Sequence, residues 1–63
     1  MSNPTITLYD SDGSISKIIR DHEVSDTRLN SILRTMNMHH RSTLGNEDKY
    51  TNSAGKTLYV NRA

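Results

Sequence analysis

Apolar positions recur along this chain with two different periods. Thr5-Ile6-Thr7-Leu8-Tyr9 alternates polar and apolar residues, several of them β-branched, which predicts a half-buried strand over about 5–9. Asp10-Ser11-Asp12-Gly13 follows with turn chemistry and ends it. Ile15, Ile18 and Ile19 then stand at i, i+3, i+4, a helical spacing that predicts a helix over about 14–22, with Asp12 or Ser14 as its cap. The same stretch also fits the return strand of a hairpin about Asp12-Gly13, although Ile18 and Ile19 would then face opposite sides.

The strongest period is Leu29, Ile32, Leu33 and Met36, spaced i, i+3, i+4, i+7, which on a helix over about 26–40 forms one core-facing stripe. Ser25 or Asp26 caps its start, Asp26 complements the positive helix end, and His39, His40 and Arg41 lie toward the negative end, with Gly45-Asn46 as the stop. The four residues from Asp21 to Val24 are the length of a helix-turn-helix elbow. Period two returns over about 49–60, as a hairpin with the loop Ser53-Ala54-Gly55 and Gly55 at its left-handed position. Leu58 and Val60 share one face of its second strand, Thr57 and Tyr59 the other. The expected fold is α+β, a single domain over 1–63 with the order β-α-α-β-β; a strand at 14–22 would make it ββαββ around one main helix.

That order resembles a winged helix-turn-helix domain. Val24-Ser25-Asp26-Thr27-Arg28-Leu29-Asn30-Ser31-Ile32-Leu33-Arg34-Thr35-Met36-Asn37 looks like the second-helix pattern of such domains, with an apolar elbow residue and a serine at the helix start. Tyr50 to Val60, with Gly55-Lys56, is similar to the wing hairpin of small phage and prokaryotic regulators. The resemblance spans about 14–60. It implies a small DNA-binding transcription regulator, with the second helix in the major groove and the wing on the backbone.

The outward arc of the main helix carries the matching side chains. If the aliphatic stripe points inward, Thr27, Asn30, Ser31, Arg34, Met38 and Arg41 point outward. Asn30 and Arg34 suit base edges, Arg28 and Arg41 flanking phosphates, and Lys49, Lys56 and Asn52 contacts from the wing. From Thr27 to Asn46 there are three arginines and no carboxylate, a locally positive segment in a chain whose net charge is only +1. The alternative partner is a protein. Met38 is a flexible apolar side chain among polar ones, so the Arg34, Met38 and Arg41 face, or a sheet edge, suits a phage-type inhibitor or adaptor that blocks or modulates a host protein. Asp10, Asp12, Asp21, Glu23 and Asp26 make the N-terminal half acidic, and a pI near 8.2 is below that of a dedicated nucleic-acid domain. If the helix ends at Asn37 instead, Met38 turns back into the core.

Composition narrows the rest. At 63 residues the core is thin, so a homodimer contact is expected to supplement it, and two half-sites would raise affinity for duplex DNA. No cysteine is present, which excludes disulfides, thiolate metal sites and a cysteine nucleophile. The first residues lack a basic and an apolar leader segment, and the longest apolar run, Leu58 to Val60, is far too short for a bilayer, so a cytoplasmic location is expected, in the host if the chain is viral. Ala54-Gly55-Lys56-Thr57 lacks the upstream glycine of a phosphate loop, and Asp10-x-Asp12-Gly13 lacks the terminal glutamate of a calcium loop; both read as turns. His39 and His40 diverge on a helix, with only the distant His22 besides, so no metal is expected; nor is a cofactor or enzymatic activity.

Overall fold

In the computed structural model, which describes residues 4–20 and 23–62, the element order is β1 (Thr5–Tyr9), β2 (Ile15–Arg20), α1 (Asp26–Thr35), β3 (His39–Leu44), β4 (Glu47–Thr51) and β5 (Thr57–Asn61). The strands form one antiparallel sheet in the order β2-β1-β5-β4-β3. A β1–β2 hairpin and a β3–β4–β5 meander are thus joined through the pairing of β1 with β5. On one face Ile6 lies opposite both Ile19 and Val60, and Leu8 opposite Leu58. Ile6, Ile19, Leu58 and Val60 are almost wholly buried, and α1 covers them with Leu29, supported by Ile32, Leu33 and Met36. Among the described residues no helix is long and apolar enough to cross a membrane.

This is not the β-α-α-β-β winged arrangement that the periodicity suggests. The segment expected as a first helix is β2, and the reason lies in a bulge. Leu8 faces Lys17 while Tyr9 faces Ile15, so Ser16 is an extra residue in the ladder. The insertion places Ile15 and Ile18, three apart, on one sheet face, with Ile19 on the other. A bulged strand therefore reproduces the i, i+3, i+4 spacing of a helix. The architecture is the one-helix alternative with a further strand, β3. Asp21 and His22, within the predicted elbow, lie outside the described residues.

The main helix starts as expected and stops early. Ser25 Oγ accepts a hydrogen bond from the Arg28 amide at 3.1 Å, and Asp26 occupies the first turn. At the other end Asn37 takes φ +54, the Asn37 amide donates to Arg34 O at 3.2 Å and the Met38 amide donates to Leu33 O at 2.8 Å. That pair of bonds is a left-handed helix cap, with Met38 packing under the helix end. Asn37, and not Gly45-Asn46, terminates α1. The Gly45-Asn46 pair instead makes the two-residue β3–β4 turn, with Gly45 at φ +62. Met38 is therefore 8% exposed and belongs to the core, which removes it from the outward face expected of it.

The β4–β5 loop Ser53-Ala54-Gly55 turns with Gly55 at φ +83. Asn52 holds it. Its Oδ1 accepts from the Ala54 and Lys56 amides at 3.1 and 3.0 Å, while its Nδ2 donates to Met36 O at 2.9 Å. Asn52, expected to contact nucleic acid, is instead the clasp between this turn and the end of α1. Asp12 plays the equivalent part in the first hairpin, accepting from the Ser14 amide and hydroxyl at 2.9 and 2.6 Å.

A second bulge, at Arg41 in β3, brings His40 and Thr43 onto the helix-side face beside Asp48. The Thr43 hydroxyl donates to Asp48 Oδ1 at 2.6 Å, so its oxygen accepts from His40 Nε2 at 2.9 Å, and that ring nitrogen carries a proton. Arg62 Nε lies 3.1 Å from Asp48 Oδ2. The Thr43 hydrogen bond, followed by the charge of Arg62 and by His40, holds the Asp48 carboxyl below its ordinary value. The Asp12 carboxyl is lowered too, by its bonds with Ser14.

Two predictions follow from these contacts. Asn52→Ala removes three hydrogen bonds, two of them part-buried, and lowers stability by about 2 kcal/mol; urea unfolding shows it as a lower midpoint with an unchanged slope. A lowered carboxylate pKa stabilises the fold above the unfolded value, and that stabilisation is lost as pH falls through the folded one. Urea midpoints of the native chain therefore fall on acidification below about pH 4. Asp48→Asn, compared at pH 5 and pH 3, shows a smaller fall.

Candidate nucleic-acid interface

With the aliphatic stripe of α1 held against the sheet, Thr27, Asn30, Ser31 and Arg34 lie exposed on its outer arc. Arg28 and Thr35 flank the arc on the side toward β2. There the strand supplies a further cation. Lys17 faces Leu8 across the β1–β2 ladder, on the helix side of the sheet, and lies beside α1. A shallow cleft of about 480 Å³ runs between helix and strand, lined by Lys17, Ile19, Ser25, Thr27, Arg28, Ser31 and Ile32. It shares Thr27 and Ser31 with a depression of about 350 Å³ that continues along the helix past Asn30, Arg34 and Thr35.

The electrostatics of this surface are one-sided. Among the described residues three cations line the cleft and the depression, and no carboxylate does. Among the described residues Lys17, Arg28 and Arg34 form no ion pair, since the two ion pairs present both belong to Asp48. Asp26 lies on the opposite flank of α1, in a separate depression with Leu29 and Val60. Hydroxyls of Ser25, Thr27, Ser31 and Thr35 and the amide of Asn30 fill the space between the cations. Ser25 Oγ accepts from the backbone and still has its proton to donate. Such a surface offers charge-assisted and neutral donors to phosphate oxygens, and an exposed α-helix fits a groove about 12 Å wide.

Thr27, Arg28, Asn30, Ser31 and Arg34 are therefore brought together as expected from the sequence, and the other four residues are not. Arg41 sits at the bulge of β3, on the far edge of the sheet, about 19 Å from β2 by strand spacing. Lys49 pairs with Tyr59 on the face that α1 does not cover. Lys56 and Asn52 belong to the β4–β5 turn, and Asn52 has its amide engaged within the fold. This hairpin does not flank the helix as a wing; it forms the middle of the sheet. Arg34, Met38 and Arg41, the face expected for a protein partner, are likewise scattered over helix, core and sheet edge. Both sheet edges are interrupted by bulges, which discourages pairing with an added strand.

Lys17 is the residue that periodicity missed. Only a strand at 15–20 points it toward the helix, and the signal was its register opposite Leu8, set by the turn at Gly13. His39 and His40 stand on adjacent strand positions and so face opposite sides of the sheet, and the described residues contain no group of three histidine or acidic side chains arranged to hold a metal. No family model matches the chain, and neither a curated protein nor a solved structure matches it.

Proposed function

We propose that this chain is a small DNA-binding module of the cytoplasm, without catalysis of its own, that holds duplex DNA through the outer arc of α1. Lys17 and Arg28 contact phosphates from the β2 flank, while Asn30 and Arg34 meet base edges, with Thr27 and Ser31 as permissive hydroxyl contacts. The observation that carries the reading is the run of three cations along one exposed helix and its neighbouring strand, which among the described residues are unpaired and have no carboxylate between them. This mode of binding differs from that of a winged domain. It needs one helix and the flank of a sheet, and no hairpin on the backbone.

Fluorescence anisotropy on random-sequence duplex tests it. Two phosphate-facing cations, Lys17 and Arg28, predict a log K that falls with log salt at a slope of roughly −2. Lys17→Ala and Arg28→Ala each reduce that slope by about one and weaken all sequences alike, whereas Asn30→Ala and Arg34→Ala reduce discrimination between sequences by about 1–3 kcal/mol. Lys56→Ala, in the distant turn, leaves both unchanged. Absence of binding at tens of micromolar in low salt, or a Lys56→Ala effect equal to that of Arg28→Ala, overturns the assignment.

A further inference from the structure

The sheet has a second face, and no part of the described chain covers it. Among the described residues Ile15, Ile18 and Leu44 are the large apolar side chains left exposed, at 55%, 40% and 82%, and the register places all three on this face. Its centre is Tyr59, whose ring meets Tyr9 edge-on at 5.5 Å. We propose that this face is the interface of a homodimer, in which two copies pack sheet against sheet and leave both α1 helices outside.

Three observations select a second copy as the occupant. The first is charge arrangement. Cross-strand register puts Arg20, Thr5, Asn61, Glu47 and Leu44 in one row, with Arg20 on edge strand β2 and Glu47 on β4, on opposite sides of the central strand β5. A two-fold axis parallel to the strands and passing over β5 sets Tyr59 against the partner's Tyr59. It also brings each Arg20 over the partner's Leu44, one strand from the partner's Glu47, while Ile18 and Ile15 come over the partner's Ser42 and the partner's His39. The face is thus complementary to itself, as an isologous interface requires. A two-fold axis perpendicular to the strands sets Glu47 against the partner's Lys49 but leaves Arg20 over the partner's β2, whose described residues carry no carboxylate on this face.

The second observation is area. Five strands of about five residues present a face about 20 Å by 17 Å, which with side-chain relief is on the order of 550 Å² per copy. The total of about 1,100 Å² just exceeds what a specific interface needs. The third is what the face does not suit. The depression along β1 and β5 holds Tyr9 and Tyr59 together with Asp10 and Glu47, two carboxylates against the one cation, Lys49, that lies across from Tyr59, so the tyrosines are a poor platform for a nucleic-acid strand. In the dimer the two α1 ridges point away from each other. Such a dimer joins two segments of duplex and does not place both helices on adjacent half-sites.

Sedimentation equilibrium of the full chain without nucleic acid, from 10 µM to 1 mM, tests the dimer independently of any DNA binding. The expected result is a mass that rises with concentration from 7.1 kDa toward twice that value. Ile18→Asp weakens association by about tenfold or more, and so do Arg20→Glu and Glu47→Arg singly, with unchanged far-UV circular dichroism. The double variant R20E/E47R restores association to within about threefold of the native chain, because the pair is re-formed with its signs exchanged. A chain that stays monomeric at 1 mM overturns the proposal. So does a dimer indifferent to all three single substitutions, and failure of the double variant to restore association overturns the two-fold arrangement.

Discussion

The pairing of β1 with β5 is the constraint on which this structure depends. Without it the chain offers a two-stranded hairpin at one end and a three-stranded meander at the other, and an isolated hairpin is marginal in water. With it, Ile6 meets Val60 and Leu8 meets Leu58, and the two pieces become one apolar floor. Only that combined floor is wide enough for the stripe of Leu29, Ile32, Leu33 and Met36 to be buried. The loop closed between residues 5–9 and 57–61 is nearly the whole chain, but closure entropy grows only logarithmically with length. A few fully buried aliphatic side chains, each contributing about 1.5–3 kcal/mol, carry the association of the two pieces.

One helix of ten residues can cover one face of a five-stranded sheet and no more. Both surfaces discussed above result from that shortage of covering material. The outer arc of α1 is exposed because no described residue packs over it, and its cations are concentrated there because the inner positions must be aliphatic. The opposite sheet face keeps Ile15, Ile18 and Leu44 in contact with solvent because the described chain has no second helix to lay across them. The polar network of His40, Thr43, Asp48 and Arg62 completes the helix-side face where α1 no longer reaches it, and holds the meander's outer strand in register.

Much of the local structure was legible in the order of residues, and the failures share one cause. The first strand, the Ser25 cap, the inward stripe of α1 and the left-handed Gly55 in its three-residue loop each depend on neighbours a few positions away, which periodicity and turn chemistry report directly. β2 was misread because a bulged residue, Ser16, shifts the phase of a strand by one and imitates a helix. β3 was missed because His39 to Leu44 is an edge strand with no apolar alternation, and the Gly45-Asn46 turn that announces it was taken for a helix stop. The helix end was misplaced because an asparagine served where a glycine was looked for. The candidate interface followed the same division. Five of its residues lie on α1 and were found together, while Lys17 depends on cross-strand register, and Arg41, Lys49, Asn52 and Lys56 were assigned to it on a topology the chain does not adopt.

Interstrand backbone NOEs measured by NMR on the isotopically labelled chain test the central claim most directly. The structure predicts contacts linking Ile6 with Val60 and Leu8 with Leu58, continuing from Thr7 to Ile18, together with extended-type Cα shifts over 15–20. Helical shifts with sequential amide–amide NOEs over 15–20, and no contact between 5–9 and 57–61, would contradict the sheet and with it both surfaces built on it.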